Sequence, residues 1–201
     1  MGDKGIRTNY NHTIYASYLG YITQAIVNNF APLLFLTFQN MFHISLEKIS
    51  LLVTVNFGVQ LLTDMLAVKY VDKIGYRISA VFAHIMSAVG LIGLAVFPYI
   101  FPSEYIGLII AVVCYAIGGG LIEVLISPIV EACPTERKEA AMSLLHSFYC
   151  WGQVFVVVFS TLFFSVTGIK NWRVLACIWA LIPLINSFYF SKVPIAVLVD
   201  E

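Results

Sequence analysis

Charged side chains are scarce in this sequence of 201 residues. Asp, Glu, Lys and Arg make up 11% of it, whereas 60% of the residues are hydrophobic. Soluble domains average about 25% charged and about 45–50% apolar residues, so the composition excludes a soluble globular protein. The 11 basic and 11 acidic residues cancel, which leaves no basic field to attract nucleic acid. We therefore expect an integral membrane protein that does not bind nucleic acid.

Cysteine is also rare, and its four copies are scattered. Cys114, Cys133, Cys150 and Cys177 form no C-x-x-C pair and have no histidine at ligand spacing. We interpret them as small apolar core residues, and we expect no metal site and no cofactor. The first residues contain no short apolar core followed by a cleavage site, so we expect no removable signal peptide.

Long hydrophobic runs are abundant. A helix needs about 20 mostly apolar residues to cross the hydrocarbon core of a bilayer. Six stretches qualify, at 13–38, 46–68, 79–100, 106–130, 142–166 and 172–190, and they lack the short alternating segments of a membrane β-barrel. We predict an all-α membrane protein with a cytoplasmic tail at 1–12, a six-helix transmembrane bundle at 13–191 and the start of a central cytoplasmic loop at 192–201.

The distribution of Lys and Arg predicts the orientation of the bundle, because these residues are retained on the cytoplasmic side. With the amino terminus inside, eight basic residues fall in inner segments and three in outer segments. We therefore expect both termini in the cytoplasm, in a bacterial-type plasma membrane.

Two sequence offsets relate the first three spans to the last three. Arg77 and Arg173, at the starts of the third and sixth spans, are 96 residues apart, and Gln60 and Gln153, in the second and fifth spans, are 93 apart. Many carriers are built from inverted repeats. The similar offsets favour a three-plus-three inverted repeat.

Ionisable side chains within the spans are few, and Glu123 is the main functional candidate. It follows three consecutive glycines and precedes Pro128, and Tyr115, Gly119 and Ser127 share its helical face. Glycines and a proline beside a carboxyl permit irregular backbone, which at membrane depth lines cavities. The alternative is a packing seam of small residues, in which the carboxyl bonds a neighbouring helix.

Amides, hydroxyls and aromatic rings occur on faces of the other polar spans. They suit a neutral polyhydroxylated solute, because amides both donate and accept hydrogen bonds and rings stack on sugar faces. Interhelical hydrogen bonding is the alternative explanation for each residue. The candidate solute- and proton-binding residues are Glu123, Asn28, Asn29, Asn56, Gln60, Tyr115, His146, Tyr149 and Gln153.

Two further titratable residues have competing interpretations. His146 lies about two helical turns from the loop between the fourth and fifth spans, as Glu123 does, and imidazole titrates near neutral pH. A His146–Glu123 proton relay is therefore one hypothesis, and a hydrogen-bonded packing histidine is the other. Asp64 lies nearer the cytoplasmic end of its span, where a pair with Lys69 is a structural explanation.

The segment 68–77, VKYVDKIGYR, resembles the loop signature G-x-x-x-D-[RK]-x-G-[RY]-[RK] of the major facilitator superfamily. Asp72, Lys73, Gly75 and Arg77 match, whereas Val68 replaces the first glycine. The resemblance implies the amino-terminal six-helix half of a twelve-helix secondary transporter, with these four matching residues in a gating loop. An ordinary positive-inside turn is the alternative.

A second resemblance is more specific. GGGLIEVLISP at 118–128 resembles the G-x-x-E-x-x-x-N-P segment of the fucose:proton symporter branch, and SLLHSFY at 143–149 is similar to its N-x-x-[QH]-x-[FS] stretch. The resemblance implies that Glu123 takes part in sugar binding and proton coupling. Ser127 replaces the asparagine of the branch, and Pro32 lies about where the branch has a first-helix acid. We therefore expect proton-coupled symport of a sugar or a similar small polar solute.

Two other function classes stay open. A six-helix membrane enzyme is disfavoured, because no G-x-S-x-G segment accompanies His146 and H-E-x-x-H is absent. Alternatively, the chain is a truncated half-transporter without activity alone, since six helices provide one of the two walls of alternating access. The expected partners are a small polar solute, the proton, membrane lipid and a second six-helix half in cis, in trans or by dimerisation.

Overall fold

A computed structural model describes residues 5–196, and this part of the chain is helical without strands. Six helical segments in it are long and apolar enough to cross a membrane, so the predicted all-α fold with six spans is confirmed. Residues 1–4 of the predicted tail and 197–201 of the predicted loop lie outside the described residues. The elements are α1 (Tyr10–Asn29), a 3₁₀ turn (Ala31–Leu34), α2 (Phe35–Phe42), α3 (Leu46–Ile74), α4 (Tyr76–Ile100), α5 (Glu104–Ala132), α6 (Lys138–Thr167), a second 3₁₀ turn (Ile169–Asn171) and α7 (Trp172–Lys192).

The first span is broken near Pro32. α1 ends at Asn29, and the 3₁₀ turn leads from it into α2. Proline lacks a backbone N–H and its ring clashes with the carbonyl of the residue four positions earlier, here Asn28. The backbone of the first span is therefore irregular beside Asn28, one of the candidate solute-binding residues.

The second span is longer than its hydrophobic run. α3 continues to Ile74 instead of ending at residue 68, so Asp72 and Lys73 lie on its last turn and not in a loop. No glycine or proline interrupts the chain between Val59 and Ile74, and lysine is a good helix former outside the hydrocarbon. The predicted gating loop is thus reduced to the single residue Gly75 between α3 and α4.

Gly75 makes this one-residue connection possible. Its φ is +96° and its ψ is 137°, a conformation that glycine adopts at little cost and other residues avoid. Its N–H donates to Val71 O at 2.7 Å, and its carbonyl accepts from Ser79 N at 3.1 Å. A single glycine therefore joins α3 to α4.

Two arginines tie α4 and α7 together at both ends. Arg77, in the first turn of α4, donates from Nη1 to Phe190 O and Ser191 O at the end of α7, both at 3.0 Å. Arg173, in the first turn of α7, donates from Nε to Ala95 O near the end of α4 at 2.9 Å. Each arginine satisfies carbonyls near the negative end of the other helix. The two helices are therefore antiparallel, and the reciprocal bonds fit the inverted repeat inferred from the 96-residue offset.

Helices α1, α4 and α5 form the interior of the bundle, and α3 and α6 flank it. α3 packs mainly on α5, and α6 packs mainly on α1. In the most apolar part of each helix, 22% of the residues of α3 and 17% of those of α6 are buried, compared with 61% of those of α5. The largest fully buried side chains include Phe30, Phe38, Trp172 and Trp179. Two weakly covered helices therefore flank an interior formed by α1, α4 and α5.

The cysteines are not all core residues. Cys133 is buried and Cys114 is half-buried, but Cys150 and Cys177 are exposed. The interpretation of all four as buried is wrong for Cys150 and Cys177, whose weakly polar thiols tolerate an apolar surrounding. Burial raises the pKa of the Cys133 thiol, just after α5, to about 11, so this thiol is unreactive at neutral pH.

Candidate functional site

A polar cavity of about 210 Å³ opens between α1, α5 and α6. Its lining combines one carboxyl, one amide, one imidazole and two phenols, a composition unlike the rest of the apolar bundle. The lining residues are Tyr21, Gln24, Glu123, His146 and Tyr149. The cavity thus brings together three of the candidate residues, Glu123, His146 and Tyr149, and the first two are exposed on this face.

Gln24 and Glu123 form the central contact of the cavity. Gln24 Nε2 donates to Glu123 Oε2 at 3.2 Å, although α1 and α5 are far apart in sequence. The side chain of Gln24 is 3% exposed, and its Oε1 is buried without a hydrogen-bond partner. An amide that donates to a carboxylate fixes its position. Gln24 therefore holds Glu123 on the cavity wall.

Tyr21 connects α1 to the same stretch of α5. Its hydroxyl lies 2.8 Å from Ser127 Oγ, one helical turn beyond Glu123. The Tyr21 ring lies 5.7 Å from the His146 ring and 6.1 Å from the Tyr149 ring, centroid to centroid. These tilted and edge-on contacts are typical of favourable aromatic pairs. The aromatic side of the cavity is therefore packed, and Glu123 lies beside it.

A chain of amides links α3 to α1 and α6. Gln60 Nε2 donates to Asn56 Oδ1 at 3.0 Å and to Asn28 Oδ1 at 2.8 Å. Asn28 Nδ2 in turn lies 3.4 Å from Tyr149 Oη. Asn28, Asn56 and the buried Tyr115 also line a small cleft near the break in the first span. Residues from α1, α3 and α6 thus form one hydrogen-bonded path that reaches the cavity at Tyr149.

The glycines before Glu123 leave room for polar side chains from two neighbouring helices. A Cβ atom at Gly119 would lie 2.9 Å from Gln24 Oε1, and a Cβ atom at Gly120 would lie 2.8 Å from Asp64 Oδ1. Both distances are too short for a real Cβ contact. A side chain at Gly119 would displace the Gln24 amide, and one at Gly120, which would also lie 2.9 Å from the Gln60 carbonyl oxygen, would displace α3. The glycine run is explained by close approach of polar groups.

Two predicted site residues, Asn29 and Gln153, do not line the cavity around Glu123. Asn29 Nδ2 donates to Ala25 O of its own helix at 2.8 Å, which occupies its amide locally. Gln153 is half-buried on α6, one turn after Tyr149. The roles of both residues stay predictions.

The four predicted gating residues lie at the α3–α4 junction, away from the cavity. Asp72 and Lys73 are exposed on the last turn of α3, and Gly75 forms the turn. Arg77 binds carbonyls of α7 within this bundle, as described above. The structure thus gives Arg77 an intramolecular partner, and a contact with a second bundle stays a prediction.

Sequence reasoning missed Gln24. It lies three residues after Tyr21 and four before Asn28, so all three share one helical face. A helical-face analysis of the first span would have found it, because this face carries polar side chains at successive turns.

The arrangement has the chemistry of a site for a small polar ligand. The carboxyl of Glu123 accepts hydrogen bonds or a proton, the amides donate and accept, and the rings offer flat apolar surfaces. Few such groups placed in a largely apolar surrounding are typical of small-molecule sites.

Residues 17–198 match the family described as the Major Facilitator Superfamily. Since the match covers most of the chain, the protein belongs to this superfamily, whose members are secondary transporters rather than enzymes. It is an integral membrane protein that takes a small solute as its substrate. A search of curated proteins found no match.

Proposed function

We propose that this major facilitator superfamily protein carries out proton-coupled symport of a sugar or a similar small polar solute by alternating access. The observation that supports this best is the cavity in which Gln24 donates to Glu123 beside three aromatic side chains. The resemblance of 118–128 and 143–149 to the fucose:proton symporter branch points to the same substrate class.

In this proposal Glu123 takes up the proton. Among the described residues that line the cavity, His146 is the one basic neighbour of this carboxyl. Loss of water disfavours the charged form of a carboxyl in general. Entry of the solute displaces water from the cavity and so couples solute binding to protonation. His146, which lines the same cavity, relays the proton.

The amides and rings contact the solute. Asn28, Gln60 and Asn56 present both donors and acceptors, and Tyr149 links their hydrogen-bonded path to the cavity. A sugar offers alternating hydroxyl donors and acceptors and an apolar face for the rings. Asn29, Tyr115 and Gln153 complete the proposed set of solute-binding residues.

A second six-helix bundle supplies the opposite wall, in cis, in trans or by dimerisation. Glu123 and His146 are exposed on the face of this bundle, and polar groups in contact with lipid are costly. We place both termini in the cytoplasm, so Asp72, Lys73, Gly75 and Arg77 form a gate on that side. A chain without this second wall would insert into the membrane but transport poorly.

The test is solute uptake into proteoliposomes that contain this chain together with a matching carboxy-terminal half. We expect saturable uptake of a radiolabelled neutral hexose or 6-deoxyhexose that rises when the outside is acidified. Vesicles with the chain alone should show none. Saturable uptake by the chain alone would require a dimer to supply both walls. An uptake rate that does not change with the pH gradient would refute proton coupling.

A further inference from the structure

An apolar groove lies between α3 and α4, away from the candidate site. Its volume is about 620 Å³, within the range of about 300–1,000 Å³ for pockets that bind small molecules. α3 and α4 are joined by Gly75 but diverge from it, and α5 forms the floor. The residues that line the groove include Leu66, Tyr70, Ile78, Phe82, Ile117 and Leu121.

The groove opens sideways to the surroundings of the bundle. Leu66 is 58% exposed, Ile78 is 63% exposed and Phe82 is 47% exposed. Because α3 and α4 are membrane spans, these side chains face hydrocarbon rather than water. A groove of this kind accepts an acyl chain and rejects the polar solute proposed for the Glu123 cavity.

Cations lie where the groove meets the α3–α4 junction. Lys69 Nζ lies 5.4 Å from the ring centroid of Tyr70, which is itself a wall of the groove. Arg77 lines an adjoining cavity together with Ile78 and Phe82, which also line the groove. Lys73 lies one helical turn after Lys69, on the last turn of α3.

The charge of this junction is positive. Segment 69–77 contains three basic residues and one acidic residue, Asp72, for a net charge of 3 − 1 = +2. An apolar groove that ends in a cluster of cations matches a molecule with a long apolar tail and an anionic head. Juxtamembrane lysines attract anionic lipid headgroups for the same electrostatic reason.

We propose that this groove is a binding site for an anionic phospholipid, independent of the transported solute. One acyl chain lies between α3 and α4 on Ile117 and Leu121, and the phosphate lies near Lys69 and Lys73. The Tyr70 ring separates the two parts, as aromatic residues do at membrane interfaces.

The experiment titrates the purified chain in detergent with dioleoylphosphatidylglycerol or dioleoylphosphatidylcholine and counts bound lipids by native mass spectrometry. We expect one phosphatidylglycerol to bind tightly and phosphatidylcholine to bind weakly. Lys69→Gln combined with Lys73→Gln should weaken phosphatidylglycerol binding about 25-fold, at about fivefold for each lysine. Lys170→Gln, at an exposed lysine outside the groove, is the matched control and should have no effect.

A second pair of variants tests the acyl chain. Leu66→Ala should weaken binding about fivefold, because it removes apolar contact from the groove wall. Leu61→Ala is the matched control, since Leu61 is 62% exposed on the same helix and does not line the groove. All five substituted side chains are on the surface, so circular dichroism should show unchanged helicity.

Three outcomes would overturn the proposal. The first is equal binding of the two lipids, and the second is equal weakening by Leu66→Ala and Leu61→Ala, which indicates non-specific lipid around the bundle. The third is the absence of a bound lipid at every ratio of lipid to protein. This result is expected if another protein element covers the groove. These results do not depend on transport, so the proposed function can fail while this site stands.

Discussion

The cavity around Glu123 and the groove between α3 and α4 lie on two sides of α5 and differ in chemistry. Leu121 forms part of the groove floor, and Glu123, two residues later, points about 200° away around the helix. The cavity side receives Gln24 from α1 and His146 from α6, whereas the groove side receives aliphatic residues from α3 and α4. One helix thus separates a polar chamber from the hydrocarbon.

The glycines of α5 permit close approach by three neighbouring helices, since a Cβ atom at Gly118 would also meet Ser87 Oγ of α4. Gly119 and Gly120 let the polar side chains of Gln24 and Asp64 approach the α5 backbone, which a Cβ atom would prevent. On the groove side, Ile117 and Leu121 of α5 form the apolar floor. Polar chemistry at membrane depth is concentrated where backbones come close, because unsatisfied polar groups are costly in hydrocarbon.

The largest expected effect is steric. Gly120→Val should destabilise the bundle by about 1–3 kcal/mol, since the new side chain overlaps Asp64 Oδ1 and the Gln60 carbonyl and forces α3 away. Thermal unfolding of the detergent-solubilised protein measures the change. The matched control is Gly58→Ala in α3, where no atom lies within 4 Å, and it should be neutral or slightly stabilising. Equal stability of Gly120→Val and wild type would refute the close approach.

A smaller effect is expected at the cavity. Gln24→Leu removes the donor that holds Glu123, and a hydrogen bond to a charged group is worth about 1.5–3 kcal/mol. Because Glu123 is exposed, we expect the lower end of this range, a loss of about tenfold in initial uptake rate. Gln39→Leu in α2, outside the cavity, should leave uptake unchanged. An unchanged rate in Gln24→Leu would remove Gln24 from the site.

Some features of the fold and of the candidate site can be predicted from the sequence and others cannot, for physical reasons. The six spans were predictable because hydrophobic length alone specifies them. The extension of α3 to Ile74 was not predictable from hydrophobicity. Lys69 and Lys73 end the hydrophobic run, but a helix can continue beyond the hydrocarbon core. The hydrogen bonds of Arg77 to Phe190 and Ser191 were not predictable either, because their acceptors are backbone carbonyls, which every residue has. The contact of Gln24 with Glu123 depends on the relative rotation of α1 and α5. This rotation cannot be derived from a single sequence.

The smallest expected effect concerns the reciprocal arginines. Arg77→Ala and Arg173→Ala should each destabilise the bundle by about 0.3–1 kcal/mol, because each arginine satisfies carbonyls at a helix end. Arg173 also lies 4.3 Å from the ring centroid of Tyr99, which adds a cation–π contribution. Thermal unfolding of the single and double variants measures the two contributions and their coupling. Since the two sites are at opposite ends of α4, their effects should add, and strong coupling would contradict the description of two separate ties.

The most direct test of proton coupling at Glu123 measures proton entry in proteoliposomes that contain the complete carrier and an internal pH dye. Addition of the transported solute should acidify vesicles with the wild-type protein. Glu123→Gln should abolish this acidification while exchange of preloaded solute stays measurable, and Glu131→Gln, an exposed carboxyl two turns further along α5, should behave like the wild type. Solute-driven acidification of normal size in Glu123→Gln would contradict the account.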